Sequence, residues 1–514
     1  MDTELQDAAD QAALAGATQL DQQDGAIDRA TSAARGDLVR NLTLFANDGG
    51  GNDVEIPEGD VYFYATQADA EAGTNALDPD DEDSDVEAAF IRVAVETRTA
   101  NYALTPVVGA ISGSLNAEAV AGLGSALCRT PPLMICNPSE PTSNGDTTLD
   151  FDVDAHIGQG LLVKGGGGAS WAPGNFGYLD TIPGSGGGTP ELLRALGWTA
   201  PPGNCVSQSG NVTVDMETGN HAAVADAVNT RFDIYNGNTN SVCPSPGSCP
   251  ASIDSVKDVV HPPRNAGDSI TGQQCRLHNQ GWQEVAAAGR YLPSSNAALP
   301  TTSTPSAMGH PRDICHSTDP KACSGPFGDA FWDRDAYFRS HYVRSDGTSW
   351  SAAEWRSNLA ANGFTATIDG VGVSRPTRPT RYQVYAWEIA NQGTTIDGVT
   401  ILGARTVGSN SSYGTPVCSS ARGYGTGTVP SEFVADRRRL SVAIVNCAAY
   451  NVRGSSVDIP VRRWVDVFLV QPSLDRGRTQ KDEMYVEIIG ETEGGSAGET
   501  AGTVIRRDVP FLVR

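Results

Sequence analysis

Ten cysteines, with no Cys-x-x-Cys among them, constrain this chain more than any other feature. They are Cys128, Cys136, Cys205, Cys243, Cys249, Cys275, Cys315, Cys323, Cys418 and Cys447. Structural zinc sites use tight cysteine knuckles, so this spacing disfavours metal. An even count with short separations at Cys243/Cys249, Cys128/Cys136 and Cys315/Cys323 points instead to local disulfide loops formed in an oxidising compartment. Buried free thiols are the alternative.

The rest of the composition narrows the partners. With 514 residues the chain can bury a large core and form more than one domain. A net charge of −25 excludes the basic stripe that a phosphate backbone requires. Only four of the 36 basic residues are lysine, and no basic run is present to hold an anionic membrane surface. Nucleic acid and lipid headgroups are therefore not expected partners. No stretch approaches the roughly 18 apolar residues that span a bilayer, and no signal peptide opens the sequence, so paired cysteines imply an export signal outside the residues shown.

Periodicity predicts an α+β fold in four regions. Residues 1–45 open with a helix whose apolar or small face is Leu5, Ala9, Ala12, Ala13, Gly16 and Leu20, with Thr3 and Gln6 as a capping box. A second helical stretch follows Gly25. Residues 46–127 read as a small α/β module. It has strands at VEIP and DVYFYAT, a further strand at FIRVAVETRT, a short crossover, and SLNAEAVAGLGSAL as strand or helix. The opening helices are expected to cover the FIRVAV face. Residues 128–417 form an irregular region rich in Cys, Gly and Pro. Its helices are expected at PELLRALGW, HAAVADAVNTRFDIY and FWDRDAYFRSHY, and a strand at TRYQVYAWEI. Residues 418–514 read as three or four strands of one sheet packing with the ectodomain.

Several motifs invite chemistry. DPDDEDSD fails as a calcium loop because Asp83 stands at its sixth position and Ala89 at its twelfth, and a solvated loop is expected. The glycine run after LLVK lacks a phosphate-loop Lys-Ser/Thr pair and a following helix. Gly494-Gly-Ser-Ala-Gly498 matches a nucleophile elbow, but no histidine follows it, since the last is His341. His310, Asp313, Cys315, His316 and Cys323 are metal-ligand types close in sequence, yet a Cys315–Cys323 disulfide with exposed histidines explains them. No Asp-x-Ser-x-Ser string of a cation-dependent adhesion domain occurs. Asp329, Asp333 and Asp335 among aromatics suit glycan binding or hydrolysis, and helical spacing of Phe331, Asp335 and Phe338 suits a core face instead. No catalytic, cofactor or metal residue is expected.

The opening LQDAADQAALAGATQLD resembles the segment that follows the N-terminal membrane helix in TadG-like Flp pilus-assembly proteins, of the TadE/TadG group of tight-adherence systems. Leu5, Gln6, Ala8, Ala9, Asp10, Ala12, Ala13, Leu14, Ala15, Gly16 and Ala17 match it. FIRVAVET, AISGSLNAEAVAGL, PPLMICNP, SWAPGNFGYLD, HPRDICH, RRLSVAIVNC and VDVFLVQPSL are similar to phrases further along those proteins. The resemblance implies a cell-envelope protein, periplasmic or on the cell surface, with the first helix as a stalk beneath a membrane helix absent from this chain. It implies a structural or assembly role with pilin-like or other pilus-assembly partners and without catalysis or cofactor. A secreted glycan-active hydrolase and a glycan-binding adhesin are the alternatives.

Overall fold

The computed structural model describes residues 2–20, 25–36, 56–81, 84–101, 112–128, 131–165, 172–179, 189–198, 225–234, 249–255, 287–305, 308–364, 378–403, 436–453, 459–474, 483–492 and 505–513. It also describes short pieces at 43–44, 52–53, 205–207, 213–214, 243, 259–260, 283–284, 367–368, 371–372, 405–407, 411–413, 429–430 and 456. The fold is α+β, and the chain divides into two compact units. One comprises Met1–Ala126, Ser207–Ser209 and Arg507–Arg514, the other Leu127–Val206 and Gly210–Arg506.

In the first unit, helices α1 (Asp2–Ala17) and α2 (Ala26–Ala34) lie against an antiparallel sheet. That sheet contains β1 (Val61–Tyr64), β2 (Phe90–Ala94) and, after the hairpin of β3 (Arg98–Asn101) with β4 (Ser112–Leu115), β5 (Glu118–Cys128). Because β2 and β5 run antiparallel through this hairpin, no crossover joins them, unlike the expectation. The alanine ladder explains the packing. Leu5, Ala9, Ala12, Ala13 and Leu20 are buried together with Ile91 and Val93 of β2. A Cβ at Gly16 would stand 2.4 Å from Ile91 Cδ1 and 3.2 Å from the Ala30 carbonyl, so only glycine permits this approach. Helix α1 therefore lies on its own unit's sheet.

The capping box expected at Thr3 and Gln6 is not formed. Asp2 and Thr3 are already helical, and the Gln6 amide donates to Asp10 (2.9 Å) and to the Glu118 carbonyl (3.0 Å). The acidic run 78–85 has a use that its composition hides. Asp85, in the short helix α3 (Ser84–Glu87), accepts from the Gly25 and Ile27 backbone N–H groups at 2.6 and 2.9 Å, capping α2 from outside.

The second unit is built on a ring of six strands: β6 (Leu133–Cys136), β7 (Gly160–Gly165), β8 (Asn175–Tyr178), β10 (Arg439–Val445), β11 (Ile459–Leu469) and β12 (Glu483–Glu491). A short strand, β9 (Thr213–Val214), adds to β11. Going round the ring, β10 pairs β6, β6 pairs β8, β8 pairs β7, β7 pairs β12, β12 pairs β11, and β11 returns to β10. Alternation sends Leu440, Val442, Ile444, Val465, Val467, Leu469, Met484, Val486 and Ile488 into one cluster with Leu133, Ile135, Leu161, Val163 and Phe176. Side chains thus fill the interior, as in small barrels. Helices α4 (Thr189–Gly197) and α5 (Ala225–Thr230) add Leu192, Leu196 and Val228 to it.

Two sequence expectations change here. Three of the C-terminal strands, β10, β11 and β12, share one sheet as expected but join strands of the preceding region in it, while the fourth, Ile505–Val513, pairs β5 in the first unit, where Phe511 meets Phe90 edge-on. TRYQVYAWEI is helix rather than strand. Thr380 Oγ1 accepts from the Gln383 N–H, and the Gln383 side chain reaches back to the Thr380 N–H. That capping box nucleates α8 (Arg381–Ala390) despite its β-branched and aromatic content. Before it come α6 (Arg334–His341) and α7 (Ala352–Ala361), the latter with its own capping box, Ser351 and Glu354.

Candidate functional site

The unusual chemistry of the second unit sits outside the barrel interior, where α8 packs on β12. On a strand, residues two apart share a face, so Glu483, Tyr485 and Glu487 all point toward α8 and the 308–323 segment. Arg381, fully buried, pairs with Asp313 through Nη2 and with Glu487 through Nη1 (2.8 Å), while its Nε donates to the Pro311 carbonyl. Glu487 also accepts from the Arg381 and Tyr382 N–H groups at 3.0 and 2.8 Å, placing a carboxylate on the positive end of α8. Asp313 Oδ2 accepts from the Gly160 and Ala330 N–H groups. Gly328 leaves room for this carboxylate, since a Cβ there would lie 1.9 Å from Oδ2.

Tyr485 extends the network. Its hydroxyl accepts from the Asp313 N–H and donates to His316 Nδ1, both at 3.0 Å. His316 Nε2–H then donates to the Gly325 carbonyl. Burial holds the His316 imidazole below its ordinary pKa and thus neutral, as this arrangement requires. Arg312 and Lys321 share Glu483 at 3.2 and 3.3 Å.

A second centre lies about two helical turns further along α8, at Glu388. Glu388, Asp254 and His310 each offer a ligand atom, all three within 4.8 Å of one another, and all three residues are buried. Glu388 Oε1 accepts from the hydroxyls of Tyr337 (2.6 Å) and Tyr342. Its Oε2 has no hydrogen-bond partner, and neither has His310 Nδ1. Burial pushes the Glu388 carboxyl up to about 8, against the pull of the two phenols. Burial, reinforced by Arg438 and Arg381, holds His310 well below its ordinary value. Asp254 pairs with Arg438 at 2.9 Å and accepts from Ser252. Arg438 also donates to the Leu469 and Val470 carbonyls, tying the centre to the end of β11.

The residues singled out in the sequence fall as follows. Disulfides join Cys136 to Cys447, Cys243 to Cys249 and Cys315 to Cys323. Two short-spaced pairs close local loops, but Cys136 does not pair with Cys128. Its partner lies 311 residues away, because β6 and β10 run side by side and bring their ends together. Cys128 and Cys205 are described only as strand backbone, and Cys275 and Cys418 lie outside the described residues, as do 166–171 of the first glycine run and the whole of 494–498. His310 and His316 are 2% and 1% exposed, not exposed as expected, because residues 310–318 form the buried floor of this network and the surface loop begins only at Asp319.

The three aspartates of the glycan reading have local structural partners. Asp333 caps α6 through Oδ1 on the Ala336 N–H, and its Oδ2 accepts from the Leu299 N–H at 2.7 Å. Asp335 accepts from the Trp355 indole, and Asp329 from the Phe331 N–H. Phe338 stacks on Trp355 in the core, but Phe331 precedes the helix and is 38% exposed beneath Arg378. Asp254, Arg381, Glu388, Arg438 and Glu487 were not expected in any site. Only the Thr380/Gln383 box could have signalled the helix that positions two of them.

These features define an α+β protein with a disulfide-stapled barrel and a charged, buried outer layer. Among the described residues no helix is long and apolar enough to cross a membrane. No known protein family, no characterised protein and no solved structure matches the chain.

Proposed function

We propose that the chain is an extracytoplasmic structural component of a bacterial tight-adherence (Tad/Flp-type) pilus assembly, acting by protein contact without catalysis. The observation that carries the extracytoplasmic part is the Cys136–Cys447 disulfide. With two further bridges it presupposes an oxidising compartment. The pilus part rests on the resemblance of the α1 ladder and the later phrases to TadG-like proteins. The acidic surface implied by a charge of −25 favours a partner with a basic face. A glycan hydrolase working through Asp333 would need a carboxylate free to reach substrate, and both oxygens of Asp333 are held by backbone N–H groups.

Deleting the gene in its host and scoring surface pili by electron microscopy tests the reading. Pili should be lost and restored by the wild-type gene, and thiol labelling of fractionated cells should find Cys136 and Cys447 blocked in the envelope fraction. Normal piliation in the deletion strain, or a chain recovered from cytosol with labelled thiols, would overturn it.

A further inference from the structure

We propose that Asp254, His310 and Glu388 form a binding site for a divalent transition-metal ion of the zinc class. Three separate parts of the second unit converge on it: the turn at Asp254, the segment before Asp313, and the last turn of α8. On two of these side chains, 1% and 2% exposed, Glu388 Oε2 and His310 Nδ1 lack any hydrogen-bond partner, while His310 Nε2 faces the Tyr337 hydroxyl at 3.4 Å. Buried polar atoms in native proteins are nearly always satisfied, and an orphaned pair in one cluster points to a shared ligand. One cation coordinated by both atoms satisfies the two together, as a Glu388 Oε2–H donated to His310 Nδ1 would in the metal-free chain, so retention of the ion decides between them.

The donor set selects the ion. One imidazole and two carboxylates suit zinc and its neighbours, while magnesium and calcium prefer all-oxygen shells. The phenols of Tyr337 and Tyr342 hold Oε1 and so present Oε2, and Ser252 and Arg438 fix Asp254. These are the outer contacts that orient ligands in metal sites. Tetrahedral zinc, with bonds of about 2.1 Å, sets ligand atoms about 3.4 Å apart. Closing from the 4.8 Å limit needs a side-chain adjustment of about 1 Å. The charges balance as well. Asp254, Glu388 and Asp436, whose carboxylate accepts from the Arg438 N–H at 2.8 Å, offset Arg438 and a doubly charged ion. Full burial means that the ion enters as the chain folds, and binding displaces the Glu388 proton to solvent.

The test uses the full-length chain with its disulfides intact, unfolded in EDTA and refolded with or without Co²⁺ or Zn²⁺. One equivalent of Co²⁺ should be retained, with the d–d bands of nitrogen and oxygen ligands and no thiolate charge-transfer band. Affinity should rise with pH and fall at least about 10-fold in Glu388→Gln, the loss expected even for an outer-shell partner. Asp254→Asn, which can keep an oxygen for the Arg438 guanidinium and turn its amide to the Ser252 hydroxyl, should fall likewise and serves if Glu388→Gln does not fold. Failure of the refolded chain to retain an equivalent of metal overturns the proposal. So does retention unchanged in both variants, which places the ion on surface carboxylates, or a thiolate band, which places it on cysteines.

Discussion

The two units bury opposite kinds of material. In the first, the buried residues are alanine, leucine, isoleucine, valine and aromatics, and among the described residues Ser84 is the one polar side chain in the same class. In the second, Arg231, Arg381, Arg437, Arg438, Asp254, Asp313, Asp466, Glu388 and Glu487 are buried as deeply as the hydrophobic core. The first unit holds together by close approach, backbone against methyl. The second adds to its barrel a layer in which each charge is fixed by partners from several segments, so that a change at one position strands others. Stability in the first unit should therefore respond to volume, and in the second to charge and pH.

The largest effect should come from Arg381→Met. It fills similar space but leaves the Asp313 and Glu487 carboxylates buried without their cation, and a loss of about 3–5 kcal/mol is expected in urea denaturation. A loss below about 1 kcal/mol would show that these carboxylates are neutral or hydrated.

The Glu388 carboxyl tests the same contrast through pH. Its folded-state value of about 8 exceeds the ordinary 4.5, so the folded chain holds the proton that the unfolded chain releases. In EDTA, its contribution to stability should be complete below about pH 4.5 and decline as pH rises toward 8, by up to about 1.4 kcal/mol per pH unit. Glu388→Gln should flatten that slope, and a slope unchanged in the variant would assign it to another group.

Gly16→Ala should cost about 1–3 kcal/mol by forcing α1 away from Ile91 and Ala30. Hydrogen exchange should then quicken in α1 and β2 while the barrel strands keep their protection. The smallest effect is expected from Asp85→Ala, about 1 kcal/mol, read as faster exchange at the Gly25 and Ile27 amides that it caps. Equal exchange in that variant would mean that water replaces the carboxylate at no cost.

How much could be read from the sequence follows the same divide. The α1 ladder and the strands at 61–64 and 90–94 were legible because an apolar face alternates with polar residues at a regular period. So were β10, β11 and β12, whose inward residues alternate cleanly. The outer layer of the second unit was not, because Arg381, Glu388, Glu483 and Glu487 look like surface residues until the fold supplies their partners. Helix α8 was misread for the same reason: its buried face carries arginine, tyrosine, glutamine and glutamate, and only its capping box announced a helix. Asp85 shows the converse, an acidic run read as solvated whose last carboxylate has a fixed partner 60 residues earlier.

One feature of the topology also fixes a schedule. Both units need strands made late: β12 shuts the ring, and Ile505–Val513 adds to a sheet begun at Val61. Cys136 likewise emerges 311 residues before Cys447, an interval of roughly 15–60 s at translation rates of 5–20 residues per second. Throughout that interval its thiol can meet Cys128 and each cysteine made before Cys447. The native bridge therefore waits on synthesis of most of the chain, and the first sheet waits longer still, for Ile505–Val513 to pair with β5.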